Sequence, residues 1–400
     1  LAGAGWSHHQ DVVRAGRGHL HRPLDVLLPL DVGHVHRVRR LQRGRRFDVA
    51  AITAMTCQAP RAYRLAARLR ARGAHVVLGG IHPTVMAQEA LAHAATVVSG
   101  EGERAWRSFL ADFAAGRPRR EYRAADTGLC NLRESPIPRY DLAPAGAYLA
   151  WPVQVGRGCS LGCEFCSVGA VHGARHRHKP VEQVIEEIRA VRRAAGEGRP
   201  RVFFTDDNLH LHRGLLERLC TAVAPLRVNW MAQMDIGVAR HPELLRAMAA
   251  SGCTQLLVGF ESLDQRALAR IQPRGPKPAL VGEYEALARR IQEHGIRVLG
   301  MFIVGLDEDR PSVFRGLREF ILGTHLHDVQ ITIQTPLPGT ALRERLAREG
   351  RLLPDDDWSR YTFFNVAYRP RHLTPRQLVA GQSRLYREFH APEAAAGRRR

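Results

Sequence analysis

Three cysteines fall within one short stretch, GRGCSLGCEFCSVG at 156–169, at positions 159, 163 and 166. Their spacing is Cys-x3-Cys-x2-Cys, and no fourth cysteine follows nearby. Thiolates are soft ligands, suited to zinc or to iron–sulfur clusters. A four-iron cluster held wholly by protein takes four cysteines. Three cysteines leave one iron open to a small molecule. Zinc is the competing reading, with His172, His176 or His178 as fourth ligand, although structural zinc sites usually pair their ligands across two distant positions. Gly158 and Gly162 give the loop the backbone freedom that such a wrap requires.

The loop follows a strand, PVQVG at 152–156. It therefore sits at a strand's C-terminal end, where parallel barrels gather their active sites. Five more strands are expected, at 201–206, 227–233, 254–260, 297–305 and 328–334, with helical stretches between them. VEQVIEEIRAVRR at 181–193 places Val181, Val184, Ile185, Ile188 and Val191 on one helical face. Six strand–helix units over 151–345 predict a (β/α)6 partial TIM barrel rather than a complete eight-fold one. Ahead of it, 47–130 alternates strands (FDVAAITAMT, AHVVLGG, ATVVSGEGE) with helices at 59–73, 86–94 and 104–116, the pattern of a Rossmann-like α/β domain with a parallel sheet. Residues 131–150, with Pro136, Pro138 and Pro144, read as a linker, and 346–400 as a small helical C-terminal region. Residues 1–46 carry no strand or helix period and read as an irregular, mis-translated N-terminus.

The cysteine loop, with Phe165 before the last cysteine at the end of a first barrel strand, resembles the radical S-adenosylmethionine (radical SAM) superfamily. Further stretches fit over about 150–345: TDDN at 205–208, Gln233, GFES at 259–262, GMFIVGLDED at 300–309 and QTPLPGT at 334–340. The resemblance implies a four-iron four-sulfur cluster on Cys159, Cys163 and Cys166, with SAM bound to the open iron. It implies SAM contacts from Phe165, from Asp206, Asp207 and Asn208, from Gln233 and Glu261, and from Gly300 and Gly305. It further implies reduction by a flavodoxin or ferredoxin, and release of a deoxyadenosyl radical that abstracts hydrogen from an unreactive C–H bond. On the residues alone, plainer roles stand beside these: a polar helix cap for Asp206–Asn208, a surface turn for Glu261, and close packing for the two glycines.

An α/β domain before such a barrel resembles the cobalamin-binding branch of that superfamily. ITAMT (52–56), LGGIHPT (78–84) and VVSGEGE (97–103) each end a strand, where open α/β sheets bind ligands. The resemblance implies cobalamin contacts from Thr53, Thr56, Gly79, Gly80, His82, Thr84, Gly100 and Glu101. The Asp-x-His-x-x-Gly motif that supplies a cobalt ligand in other cobalamin proteins is absent, and DVGHVHR at 31–37 has its letters without its spacing. The implied activity is a cobalamin-dependent C-methyltransferase. The alternative is an oxidative cyclase using the same cofactors.

Composition narrows the remaining classes. The net charge of +20 invites nucleic acid. However, Lys179 and Lys277 are the only lysines, and residues 1–46 alone carry nine Arg against three Asp, a pattern of coding bias and terminal charge. RNA modification is therefore the lesser reading. The tail shows no β-rich RNA-binding module, and no second cysteine cluster exists. Cys57, Cys130, Cys220 and Cys253 read as small core residues. No apolar run approaches the roughly 20 residues of a membrane span, and no secretory signal is evident, so the expected location is cytoplasmic. The expected substrate is a small or lipid-like molecule. The aromatic residues Trp358, Tyr361, Phe363, Phe364 and Tyr368 are expected to close the barrel's open end over it.

Overall fold

Short apolar runs rich in valine and isoleucine dictate strands, and both sheets of this protein are built from them. The computed structural model describes residues 26–27, 48–143, 148–354 and 357–391. Apart from Val26–Leu27, the stretch 1–46 lies outside the described residues, as do Pro144 and the terminal arginines.

The N-terminal unit is a five-stranded sheet of β1 (Val26–Leu27), β2 (Val49–Thr53), β3 (His75–Gly79), β4 (Thr96–Ser99) and β5 (Glu121–Arg123), lying in sequence order. Every pairing is parallel. β1 supplies an edge strand from a stretch where no element was expected. Val49, Ala50, Val76, Leu78 and Val97 are fully buried, because helices cover both faces of a parallel sheet. The helix Ala59–Arg70 has a proline in its first turn and packs Ala62, Tyr63, Ala66 and Leu69 inward at helical spacing.

The second unit begins at β6 (Trp151–Val153). A short antiparallel pair follows, β7 (Gly156–Arg157) with β8 (Arg177–His178), which brackets the cysteine loop. Then come β9 (Arg201–Phe204), β10 (Asn229–Asp235), β11 (Cys253–Glu261), β12 (Arg297–Val304) and β13 (Asp328–Ile333). β6 and β9–β13 form one six-stranded sheet in sequence order, all parallel. This is the partial barrel. Its last strand is not left as an open edge. The helix Pro375–Phe389 lies against it, with Gln382 Nε2 donating to Ile331 O at 2.6 Å and the Tyr386 hydroxyl accepting from Ile331 N–H at 2.8 Å.

The C-terminal aromatic residues do not close the barrel as expected. Trp358 and Tyr361 join the hydrophobic core of the N-terminal unit, together with Leu337 from the loop after β13. The Trp358 indole N–H donates to Glu89 at 2.9 Å. Tyr368 is buried and its hydroxyl donates to Gly305 O. Phe364 is 41% exposed. Among these five, only Phe363 faces the barrel cavity. Apolar periodicity marks these residues for burial but does not say against which body. Among the described residues no helix is long and apolar enough to cross a membrane.

Candidate active site

The cysteine loop is held from three sides. Behind it, the Asp206 carboxylate accepts the Val155 and Gly156 N–H groups at 2.8 and 2.5 Å. Glu164, between the second and third cysteines, accepts two hydrogen bonds from Arg345 at 3.1 and 2.9 Å. Its N–H donates to Ile271 O at 2.9 Å. Gly158 has φ +91°, and a Cβ there would meet Arg175 O at 2.4 Å, so only glycine fits.

All three cysteines open onto one cavity of about 170 Å³ inside the mouth of the barrel. Burial pushes their thiols up, Cys163 to about 11. Metal uptake must therefore displace protons. None of the three candidate histidines lines this cavity. His172 Nδ1 lies 3.6 Å from Glu101, His176 packs on the His212 ring at 4.6 Å, and His178 Nδ1 meets Lys179 O at 2.9 Å. Three soft sulfurs on one cavity, with no histidine in its lining, fit a cluster with an open iron.

Phe165, Asp207, Asn208, Gln233 and Glu261 line the same cavity. Glu261 stands at φ +64°, where the register of β11 against β12 shifts. A non-glycine residue there is strained, a condition that recurs at functional sites. Its carboxylate is fixed by Lys277 Nζ at 2.8 Å. Gly259 permits this turn, since a Cβ on it would sit 2.3 Å from Glu261 Oε1. Burial raises the Asp207 carboxyl above its usual range. Asp235, although buried, is held well below that range by His210 and by Asn208. Asn208 donates to it at 2.8 Å.

Three expected SAM contacts lie outside the cavity. Asp206 fastens the loop from behind. Gly300 serves packing, since a Cβ there would meet Leu326 at 2.7 Å and Phe302 at 2.9 Å. Gly305, at φ +93°, is pressed against the Tyr368 hydroxyl, 2.4 Å from where a Cβ would be. Conversely, Asp235, Gln272, Lys277, Gln330 and Gln334 line the cavity without having been singled out. The signal for the glutamines was present. In DVQITIQ, Gln330, Thr332 and Gln334 share one face at the strand period of two. A barrel strand is covered on both faces, so a polar face must look into the site.

A second cavity, of about 240 Å³, lies at the C-terminal ends of β2–β4. Thr53, Gly79, Gly80, Gly100 and Glu101 line it, joined by Arg157 and His172 from the other unit. Gly80 cannot carry a side chain, because a Cβ would fall 2.3 Å from Thr53 Oγ1. Three expected residues face elsewhere. His82 is fully buried between Tyr63 OH at 3.1 Å and Thr56 Oγ1 at 3.4 Å, with the Trp358 ring at 5.1 Å. Burial lowers its pKa, so it is a packed core histidine, and Thr56 is its partner. Thr84 ties two glycine loops together, donating to Gly80 O at 2.7 Å and accepting from Gly100 N–H at 2.9 Å. Glu101 is bound on all sides: by Arg177 at 3.1 Å, Arg157 at 3.5 Å and the Cys130 N–H at 2.9 Å. Despite burial, these partners and His172 hold its carboxyl well below the usual range.

Comparison with known proteins agrees with this geometry. The family model described as the radical SAM superfamily matches residues 153–321, and that described as the B12 binding domain matches 11–110. The chain thus carries both a radical SAM domain and a B12-binding domain. The B12-binding match begins well ahead of residue 47, where the strand pattern sharpens. The cofactors of these domains are an iron–sulfur cluster, SAM and cobalamin. The chain is 29% identical over 351 residues to bacteriochlorophyllide d C-12(1)-methyltransferase of Chlorobaculum tepidum, covering 87% of this chain and 76% of that protein. It is 30% identical over 253 residues to hopanoid C-2 methylase of Rhodopseudomonas palustris, covering 60% and 46%. Its fold is similar to that of the radical SAM methyltransferase TsrM from Kitasatospora setae with cobalamin and an iron–sulfur cluster bound. That match has a TM-score of 0.66 at 15% identity over 90% of this chain and 77% of the other.

Proposed function

We propose that this radical SAM enzyme is a cobalamin-dependent C-methyltransferase that acts on an unactivated carbon of a small or lipid-like molecule. One observation carries the reading. A cavity bearing three cysteines and a glycine-floored cavity at the ends of β2–β4 are joined through one short hairpin, β7–β8. When bound, the cluster, SAM and cobalamin supply the electron, the hydrogen-abstracting radical and the methyl group. The chain's own residues hold and shield. Cys159, Cys163 and Cys166 hold the cluster. Asp207, Asn208, Gln233 and Glu261 present polar groups to the charged end of SAM, and Lys277 fixes Glu261. Met301, Ile303, Ile333, Leu337 and Phe363 make the remaining wall apolar, which keeps water from a reactive intermediate. Thr53, Gly79, Gly80 and Gly100 let the cobalamin approach the backbone. The relatives named for methylating bacteriochlorophyllide d and hopanoids support a large, mostly apolar substrate. A flavodoxin or ferredoxin is the proposed reductant.

The test is product analysis on the anaerobically reconstituted enzyme, with a panel of neutral lipids and tetrapyrroles. Release of both deoxyadenosine and S-adenosylhomocysteine, with a substrate mass gain of one methylene, is expected. Deoxyadenosine with loss of hydrogen from the substrate would instead assign the protein to ring-forming oxidation.

A further inference from the structure

Gln334, at the end of β13, is 2% exposed, and neither atom of its amide has a hydrogen-bond partner. Gln330, two residues back on the same face, is 7% exposed, and its Nε2 is likewise unpartnered. Both line the cluster cavity. Buried polar groups are almost always paired, and an orphan costs stability. Two on one strand face, aimed into one cavity, are groups awaiting a ligand.

The rest of the lining states what that ligand cannot be. Its charged residues are Asp207, Asp235, Glu261 and Lys277, and Lys277 is already taken by Glu261. This chain is rich in arginine, yet none lines the cavity. An anionic group there would meet three carboxylates and no free cation. Around the two glutamines the wall is Met301, Ile303, Ile333, Leu337 and Phe363. A carboxamide both donates and accepts.

We infer that Gln330 and Gln334 are specificity residues that read an uncharged, hydrogen-bonding edge, such as an alcohol, lactam or amide, on an otherwise hydrocarbon substrate. This rests on the proposed function and narrows it. The lining disfavours an anionic substrate edge here. A site built to pair such a group discriminates strongly against a molecule that lacks it.

The experiment uses Gln334→Met, Gln330→Met and the double variant in the reconstituted, substrate-free holoenzyme. Removing an orphan amide raises the thermal midpoint, by about 2 °C or more for Gln334→Met. An unchanged or lower midpoint means the amides are already satisfied and overturns the inference. SAM affinity, read by equilibrium dialysis, stays within about twofold of the parent, whereas a loss of about tenfold assigns the amides to SAM and also overturns it. With SAM bound, dodecanamide binds about tenfold more tightly than dodecanoate, and the double variant loses that preference. Dodecanoate held as tightly, or neither probe held, overturns it. Iron and corrin are assayed on the same preparation. Their absence defeats the proposed function, while the melting comparison still tests the amides separately.

Discussion

At the residue scale, Asp206 shows how a motif residue is assigned by what it touches. It stands in TDDN beside Asp207 and Asn208, but its carboxylate turns away from the cavity and holds the strand that feeds the cysteine loop. Burial pushes its pKa to about 7, against the pull of two backbone N–H groups. Asp309 is in the same position, also about 7, accepting from Gly305 and Leu306 N–H. Unfolded, both would titrate near about 3.9. Between those values each of these two carboxyls is more protonated in the folded protein, so its contribution to stability falls as pH rises from 4 to 7, while His75, His82 and His176, whose pKa values burial lowers, contribute in the opposite direction. Chemical denaturation of the cofactor-free protein across this range should show the Asp206 contribution as the difference between the parent and Asp206→Asn. The variant's slope should be less negative than the parent's, with the Asp309 contribution still present. The substitution should also cost about 1–2 kcal/mol through the poorer acceptor. A slope unchanged by the substitution, or shifted the other way, would contradict the assignment. The cysteines, Asp207, Asn208, Gln233 and Glu261 were legible in sequence because each ends a strand at the face where a parallel barrel works. Asp206 was not, because adjacent residues at a strand end point in opposite directions.

At the element scale, the β7–β8 hairpin is the joint of the molecule. Arg157 on β7 and Arg177 on β8 both reach Glu101, and Arg157 also binds Glu103. Arg157 lies two residues before the first cluster cysteine, and Glu101 lines the second cavity. The SGEGE turn was read as a ligand loop, and in the structure its carboxylates clamp one unit to the other. Sequence could not separate these roles, because the partners lie more than fifty residues away. Glu101→Gln leaves Arg177 without its carboxylate and the buried Arg157 with Glu103 alone, and should cost about 3 kcal/mol in urea unfolding. It should also weaken corrin retention about tenfold with iron content unchanged. Glu101's depressed pKa contributes stability that is present above about 4.3 and is lost as pH falls through the folded value. The variant should therefore lack that part of the acid-side loss. Equal iron and corrin loss would mean that the clamp serves the whole fold rather than the joint.

At the scale of the whole molecule, two parallel sheets are fastened by elements distant in sequence. Leu337 and Trp358 leave the barrel's end to complete the N-terminal core, and Gly339 comes so close to Val85 that a Cβ would sit 2.8 Å from it. The alternation of strand and helix made both sheets legible. Their apposition was not, since it depends on the aromatic segment 358–368, whose spacing is compatible with several partners. Trp358→Ala should destabilise by about 3–5 kcal/mol, as loss of a buried aromatic does. Limited proteolysis should then cut first within residues 131–150. Cleavage at β-strand loops instead would indicate global loosening.

The central claim is that one chain holds a cluster on three cysteines and a corrin in a separate cavity. It is tested most directly by anaerobic reconstitution with iron, sulfide and hydroxocobalamin, followed by desalting and assay of both. The same is done for the variant with Cys159, Cys163 and Cys166 all changed to alanine. The account predicts about four irons and a retained corrin in the parent, and a retained corrin without iron in the variant. Iron that survives the triple substitution, zinc bound in its place, or a parent protein that retains no corrin would contradict it.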